Sequence, residues 1–160
     1  MEIQEDWPAI RAHFNKSIRS NFHVSVGSVA KDGNPTVTPI GSLFLNSGQK
    51  GFYFERYTSS LPLNSEFNKN ICVLAVNSNV WFWVQSLLKS KFKKQPAIKL
   101  HGTLGARREA TEVELSRLKK RTKFFKISKK GYDYLWGDMK HVREISFTKV
   151  EGMKLGNMIN

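Results

Sequence analysis

The sequence predicts a mainly β protein, a mostly antiparallel β-barrel with flanking helices packed outside it. Three observations support this fold class. β-rich runs separated by turn residues follow one another within residues 23–76, and two further runs with strand character lie at 97–104 and 142–150. The strands are also grouped along the chain, whereas regular alternation with helices is typical of parallel sheets. The tally is about six strands and three helices.

The size and composition are those of one ordinary globular domain. The chain has 160 residues, of which 40% are hydrophobic and 24% are charged, and this length suits a single core. No apolar run approaches the roughly 18–20 residues that a spanning helix needs, so we expect no membrane partner. Cys72 is the only cysteine and the four histidines are scattered. We therefore expect neither a disulfide nor a metal site, and a reducing, cytoplasmic location.

An N-terminal helix is predicted over residues 5–20. Pro8 falls in its first turn, where the missing N–H group costs nothing. A single apolar stripe with helical spacing runs along it, formed by Trp7, Ile10, Phe14 and Ile18.

Residues 23–55 read as a meander of three strands. The runs 23–30, 36–45 and 51–55 are rich in residues that favour β structure. They are separated by Lys31–Asn34 and Asn46–Gly48, whose Gly, Asn and Asp residues are typical of tight turns.

A short helix and a buried strand follow the meander. The helix is predicted over residues 61–69, with Ser59 or Ser60 as its cap and Pro62 in its first turn. Ile71–Val76 is a continuous apolar run of six residues, which suits a central strand.

The aromatic segment within residues 77–96 fits two structures. Its bulky residues, concentrated at 81–92, have either helical spacing or the character of an extended strand. They would form either a flap packed on the barrel or an aromatic wall over a planar ligand.

The C-terminal third contains a strand, a helical segment and a last strand. Residues 97–104 and 142–150 alternate between apolar and polar side chains, and Thr111 with Glu114 forms a capping box that opens a helix. The predicted organisation is a single domain over residues 1–160, with a helix at about 5–20, a barrel at about 21–105 and 142–151, and a helical basic segment at about 109–136.

The net charge is +13 and it is unevenly distributed. Residues 89–130 contain fifteen Lys and Arg against three Glu, a net of +12. This segment is either a solvated basic face or a surface for an anion, whether nucleic acid, an anionic membrane or a phosphorylated ligand. Because no known nucleic-acid-binding motif accompanies the charge, we expect nucleic acid to bind only weakly and without sequence preference.

The common catalytic motifs are absent, so the catalytic residues are unknown at this stage. The chemically informative segment is the junction between the third strand and the helix that follows. Three hydroxyl residues, Thr58–Ser60, precede the helix, and Arg56 lies just before them. A helix N-terminus with hydroxyl donors and a nearby arginine suits a phosphate, although a simple helix cap explains the hydroxyls equally well.

Four runs together resemble the pyridoxamine 5′-phosphate oxidase-like, FMN-binding split-barrel family. They are DGNPTVTPIGSLFL, GFYFERYTSSLPLN, NKNICVLAV and IKLHGTLG, in that order over about residues 20–105. The resemblance implies a six-stranded antiparallel split barrel, a homodimer, and an FMN cofactor at the dimer interface. It also implies a cofactor site formed by Thr38, Pro39, Ile40, Gly41, Ser42, Phe54, Glu55, Arg56, Thr58, Ser59 and Ser60.

The sequence departs from the family pattern at the phosphate segment, where Ser59 and Ser60 replace an Arg-Lys pair. Each lost charge-assisted hydrogen bond is worth about 1.5–3 kcal/mol, so FMN affinity would fall by roughly 10²- to 10⁴-fold unless other cations compensate. Three functions remain open: an FMN-binding protein with flavin-dependent oxidoreductase activity, a split barrel that has lost FMN and binds haem or a nucleotide, and a basic nucleic-acid-binding module.

Overall fold

A computed structural model describes residues 2–92 and 94–154. The helices are α1 (Trp7–Asn21), α2 (Ser60–Ser65), α3 (Val80–Leu88), α4 (Glu112–Thr122) and α5 (Lys129–Trp136), with a 3₁₀ turn at Lys123–Phe125. The strands are β1 (Val24–Val29), β2 (Pro35–Ile40), β3 (Leu43–Leu45), β4 (Lys50–Phe54), β5 (Asn70–Val76), β6 (Ala97–Glu109) and β7 (His141–Gly152). None of the described helices combines the length and the apolar character needed to cross a membrane.

The seven strands form one antiparallel sheet in the order β2-β1-β5-β6-β7-β4-β3. The two edge strands, β2 and β3, are consecutive in the chain and are joined only by Gly41 and Ser42. The two edges of the sheet must therefore lie next to each other at this connection, and the sheet curls into a split barrel. The predicted fold class is confirmed.

The predicted strand count of six is a detail that the structure corrects. The single strand expected over residues 36–45 is two strands, β2 and β3, which pair with β1 and β4 at opposite edges of the sheet. Gly41 and Ser42 interrupt the ladder because the chain leaves one edge there and joins the other.

The main core lies between α1 and the concave face of the sheet. The predicted stripe on α1 is confirmed, since Trp7, Ile10, Phe14 and Ile18 are all buried in the same cluster as side chains from β1, β5, β6 and β7. Burying four large apolar side chains stabilises the fold by roughly 1.5–3 kcal/mol each. The indole N–H of Trp7 also donates to the carbonyl of Asn46, at 2.7 Å.

A second, aromatic core covers the opposite face of β3, β4 and β7. Strand alternation sends Phe44, Phe52 and Phe54 to this side, while their neighbours face the main core. Leu118 of α4 and Met139 pack on the three rings. The helical basic segment is therefore attached to the barrel through an apolar interface.

Two arginines of α4 hold the outer edge of β3. Arg117 donates to the carbonyl of Leu45 at 3.0 Å, and Arg121 donates to the carbonyl of Leu43. The guanidinium of Arg121 also lies over the ring of Phe44, 3.5 Å from its centroid. The two arginines thus supply hydrogen-bond donors to carbonyl groups of the edge strand that have no partner strand.

The aromatic segment forms a helix, α3, on the outside of the barrel. Asn79 caps it by accepting a hydrogen bond from the Phe82 N–H at 3.1 Å. The rings of Phe82, Trp83 and Phe92 pack against one another. Contacts within the chain therefore bury part of the aromatic surface of this segment. Trp81, in contrast, is 73% exposed.

Two predictions about helix ends have different outcomes. The capping box is confirmed: Thr111 accepts from the Glu114 N–H at 3.3 Å, and the Glu114 carboxylate accepts from the Thr111 N–H at 2.9 Å. The prediction for α2 is wrong about its C-terminal end, because the helix covers six residues and ends at Ser65. Ser59, one of the two predicted caps, does occupy the N-cap position, but its side chain makes no capping hydrogen bond to the backbone.

Candidate functional site

A groove opens where β2 passes into β3. Its volume is about 220 Å³. We call it the strand-break groove, and it is lined by Pro39, Ile40, Gly41, Ser42, Phe54, Tyr57, Thr58, Leu135, Trp136 and Met139. It forms because the break between β2 and β3 leaves a gap in the ladder beside the end of β4, and α5 covers that gap from the other side.

Three hydroxyl residues line the groove, namely Ser42, Tyr57 and Thr58. Ser42 donates a hydrogen bond to the carbonyl of Phe54 at 3.3 Å and so ties the strand break to the end of β4. The Oγ1 atom of Thr58 is buried and has no hydrogen-bond partner among the described residues. Because most buried polar atoms are paired, this hydroxyl is available to a water molecule or to a polar atom of a ligand.

Glu55 is the centre of an ion-pair network instead of a ligand contact. Its carboxylate accepts hydrogen bonds from Arg143, at 2.5 and 3.0 Å, and from the Tyr53 hydroxyl at 2.6 Å, and Arg107 lies 3.3 Å away. Burial alone would raise the pKa of Glu55, but the hydrogen bonds from Arg143 and Tyr53, with the charges of Arg143 and Arg107, leave it below its ordinary value. Burial of the Tyr53 hydroxyl, together with its hydrogen bond to the Glu55 carboxylate and the negative charge of that group, raises the pKa of Tyr53 far above its ordinary value.

Arg56 points to the protein surface beside the groove. Its guanidinium lies 3.6 Å from the carboxylate of Asp138 and 5.0 Å from the ring centroid of Tyr57. The two serines that follow Thr58, Ser59 and Ser60, are exposed. The predicted phosphate segment therefore consists of one buried hydroxyl, two exposed hydroxyls and an arginine that already has an acidic neighbour.

The groove brings together six of the eleven predicted site residues. These are Pro39, Ile40, Gly41, Ser42, Phe54 and Thr58. The other five do not line it: Thr38 is half-buried in β2 opposite Val26, Glu55 belongs to the network above, and Arg56, Ser59 and Ser60 lie outside. No residue of the aromatic segment 81–92 lines it either, as far as that segment is described.

Solved structures share this architecture, although no family model and no curated protein matches the sequence. An FMN-binding protein from Syntrophomonas wolfei is 13% identical, with 96% of this chain and 95% of that chain covered at a TM-score of 0.60. A candidate pyridoxamine 5′-phosphate oxidase from Lactobacillus delbrueckii is 17% identical, with 88% and 91% covered at 0.53. HutZ, the haem storage protein from Vibrio cholerae, is 10% identical, with 95% of both chains covered at 0.58.

The chain has the pyridoxamine 5′-phosphate oxidase-like split-barrel fold. The resemblance seen in the sequence is thus confirmed at the level of the fold. Sequence identities of 10–17% establish a shared fold and do not establish a shared function.

The lining of the groove suits an apolar group better than a phosphate. Its walls are mostly apolar, with Ile40, Phe54 and Trp136 among them, and no charged side chain lines it. Its 220 Å³ is smaller than the roughly 300–1,000 Å³ that is typical of sites for complete small-molecule ligands. The groove of one chain is therefore too small to enclose a complete ligand of that kind, and its lining provides no charge for a phosphate.

Sequence reasoning missed four lining residues, namely Tyr57, Leu135, Trp136 and Met139. Tyr57 sits in the predicted junction and its hydroxyl donates to the carbonyl of Tyr134 at 2.6 Å, which ties the junction to α5. For Leu135, Trp136 and Met139, the aromatic composition of α5 is the one feature of the sequence that indicates a role in binding. No local sequence pattern connects that helix to the break between β2 and β3.

Neither a metal centre nor a reactive cysteine is found among the described residues. Across 2–92 and 94–154 there is no group of three or more His, Cys, Asp or Glu side chains that could hold a metal ion. Burial raises the pKa of the Cys72 thiol, which lowers its thiolate fraction and its reactivity.

Proposed function

We propose that this split-barrel protein binds a planar cofactor in the strand-break groove, and that the cofactor is FMN. The observation that carries the proposal is the buried Oγ1 atom of Thr58, which has no hydrogen-bond partner among the described residues and belongs to the lining of a mostly apolar groove. The likeness to an FMN-binding protein over 96% of this chain supports the choice of cofactor.

Each part of the groove has a role in this proposal. Ile40, Phe54 and Trp136 supply the apolar walls for a flat ring, and Thr58 donates a hydrogen bond to a polar atom of the ligand. Bound FMN would supply hydride chemistry, while the protein orients the ring and excludes water. Because the groove of one chain is small, the remaining wall belongs to a second copy in a homodimer.

Haem is the second candidate. The likeness to the haem storage protein HutZ over 95% of both chains favours it, and so does the position of Met139 in the groove lining. A methionine thioether is an established axial ligand for haem iron. Haem needs no phosphate-neutralising pair, so the replacement of that pair by Ser59 and Ser60 does not weaken this alternative.

The visible absorption spectrum of the purified protein, followed by titrations with FMN and with haemin, tests the proposal. We expect FMN to bind, and Thr58→Val to weaken it about 3- to 30-fold through the lost hydrogen bond. Thr103→Val is the matched control, because Thr103 is exposed on β6 and far from the groove lining. Saturable haemin binding without FMN binding would replace FMN by haem, and binding of neither would end the proposal.

Restoring the missing charges provides a second test. The double change Ser59→Arg, Ser60→Lys adds two cations where the pattern of the family that the sequence resembles has an Arg-Lys pair. Placing them at a helix N-terminus costs about 0.3–1 kcal/mol each, which is less than the gain from pairing with a phosphate dianion. We expect FMN affinity to rise at least tenfold and riboflavin affinity to stay unchanged. If the affinities for FMN and riboflavin rose equally, the phosphate of FMN would not bind at residues 59 and 60.

A further inference from the structure

A second cavity of about 240 Å³ adjoins the strand-break groove and shares Gly41 and Trp136 with it. It lies between the C-terminal end of α1, the strand break and the end of α4. We call it the arginine cavity, and its principal lining residues are Arg19, Phe22, Arg121, Phe124, Phe125 and Trp136. The proposed function makes no use of it.

Aromatic rings form the walls of the arginine cavity. Phe125 stacks on Trp136 with 5.3 Å between centroids and meets Phe22 edge-on at 5.2 Å. Phe124 packs edge-on against Phe125 and remains 77% exposed. Rings that line a cavity and keep exposed faces are suited to holding a flat apolar group.

Arg121 places a positive charge with free donors at this cavity. Its Nη1 atom donates to the carbonyls of Gly41 and Leu43, but its Nε and Nη2 atoms make no hydrogen bond within residues 2–92 and 94–154. A guanidinium group has five N–H donors in a fixed fork, so most of them remain available to a ligand.

No carboxylate balances this charge. Arg19 and Arg121 form no ion pair with any described Asp or Glu. Burial, together with the neighbouring charges of Arg117 and Arg19, lowers the pKa of Arg121 to about 9, which still leaves it cationic at neutral pH. Unbalanced cations in a partly buried position attract an anion.

The backbone at Phe22 is strained where it forms the cavity wall. Phe22 follows the last residue of α1 with φ 63°, a left-handed conformation that favours glycine, and its N–H donates to the carbonyl of Ile18 at 2.7 Å. Bulky residues rarely adopt this conformation, and such strain is typical of functional sites. Here it places an aromatic ring, 59% exposed, at the cavity where a glycine would leave a gap.

We propose that the arginine cavity is a binding site for a small aromatic carboxylate, with the ring held among Phe22, Phe124 and Trp136 and the carboxylate held by Arg121 and Arg19. This site adjoins the cofactor groove and shares Trp136 with it, but its charged residues, Arg19 and Arg121, do not line that groove. A cavity of this size suits a ligand of one ring and a short acidic arm. A carboxylate matches the planar fork of Arg121 better than a spherical anion does.

Binding of 4-fluorophenylacetate to the full chain, followed by ¹⁹F NMR, tests this proposal. The neutral 4-fluorophenylacetamide is the matched probe, because it has the same ring and shape without the charge. We expect the acid to bind at least tenfold more tightly than the amide, since charge-assisted hydrogen bonds are the stronger kind. Equal affinities, or no binding of the acid, would overturn the proposal.

Variants locate the site. We expect Arg19→Gln and Phe124→Ala each to weaken binding of the acid at least threefold; both side chains are exposed, so neither change should disturb folding. Lys123→Gln is the charge control, since Lys123 is exposed beside Phe124 but does not line the cavity. Thr58→Val should leave the affinity unchanged, which separates this result from the cofactor proposal. Equal losses in Lys123→Gln and Arg19→Gln would show only diffuse attraction to a basic face and would overturn the proposal.

Discussion

Gly41 lies so close to Phe22 that a Cβ atom on Gly41 would sit 2.9 Å from the Phe22 carbonyl oxygen. Real Cβ atoms essentially never come within 3.0 Å of another heavy atom, so a side chain at position 41 requires a backbone shift. The contact joins the end of α1 to the break between β2 and β3. Both cavities described above share Gly41, so this one close approach fixes their common wall.

The change Gly41→Ala should therefore destabilise the protein by about 1–3 kcal/mol, because the added methyl group overpacks a backbone contact. The measurement is urea-induced unfolding monitored by tryptophan fluorescence. Gly27→Ala is the control: a Cβ at Gly27 would lie 3.6 Å from the Cys72 carbonyl, an ordinary contact, and should change stability by less than about 0.5 kcal/mol. Equal effects of the two changes would contradict the close approach.

The Glu55 network should make stability depend on pH in the acid range. Because the pKa of Glu55 is lower in the folded chain than its ordinary 4.5, its contribution is complete above that value and is lost as the pH falls through the folded-state pKa. Glu55→Gln should cost about 2–4 kcal/mol at pH 7, since it leaves Arg143 half-buried without its partner.

The measurement is the free energy of unfolding in urea between pH 7 and pH 3, for wild type and Glu55→Gln. The difference between them should shrink toward the acid end. Glu66→Gln, a change at an exposed carboxylate, is the control. A difference that stays constant with pH would show that the charge of Glu55 is not what stabilises the fold.

Arg56 should control the affinity for FMN if its phosphate binds beside Thr58. Arg56→Ala should weaken FMN at least tenfold, through the loss of a charge-assisted hydrogen bond. Asp138→Asn should strengthen FMN about two- to fivefold, because it removes the carboxylate 3.6 Å from the Arg56 guanidinium. Fluorescence titration measures both, with Lys69→Ala as the control for a charge lost elsewhere. If Arg56→Ala binds FMN as wild type does, the phosphate lies in another place.

We expect a homodimer at micromolar concentration, with a mass twice the 18.4 kDa of the chain. Four large apolar side chains on α3 remain more than half exposed, namely Val80, Trp81, Leu87 and Leu88. Exposed apolar clusters of this kind are typical of interaction surfaces. Multi-angle light scattering measures the mass, and a value near 18.4 kDa at all concentrations would refute the prediction.

Nucleic acid should bind only through charge. Arg107 and Arg108 of the basic segment pair with carboxylates, and Arg117 and Arg121 donate to backbone carbonyls of β3, so the exposed lysines among its described residues present most of the charge to solvent. Fluorescence anisotropy with unrelated oligonucleotides should show similar weak affinities that collapse between about 50 and 200 mM salt. Replacing Lys119, Lys120 and Lys123 by Gln should flatten the salt dependence. Tight binding to one sequence that survives the higher salt would favour a specific nucleic-acid function instead.

Local patterns in the sequence predicted those elements that local chemistry determines. The stripe on α1 predicted which side chains are buried, and Thr111 with Glu114 predicted where α4 begins, because both depend on residues three or four positions apart. The division of residues 36–45 into β2 and β3 could not be predicted in this way. It arises because the same stretch pairs with β1 at one edge and β4 at the other, which is a property of the closed sheet.

The candidate site also combines residues that the sequence could indicate with residues that only the tertiary structure brings together. Resemblance pointed to residues 39–42, Phe54 and Thr58, which lie in β2 and β4 or shortly after them. Trp136 and Met139 are about 80 to 100 residues away in the chain, and only their packing on the aromatic core of β3 and β4 brings them to the groove. Glu55 follows Phe54 directly, yet it belongs to a different network, because strand alternation turns consecutive side chains to opposite faces and two arginines from β6 and β7 already occupy its carboxylate.

The two arginines that bind the edge of β3 also hinder aggregation by strand addition at that edge. An edge strand with free carbonyls is a template on which another chain can add a strand, and such addition leads to aggregation. Arg117 and Arg121 occupy the carbonyls of Leu45 and Leu43, two residues apart on the outward side of the ladder. Their guanidinium groups place positive charge where an incoming strand would have to lie, so this edge of the barrel is closed to β-sheet polymerisation.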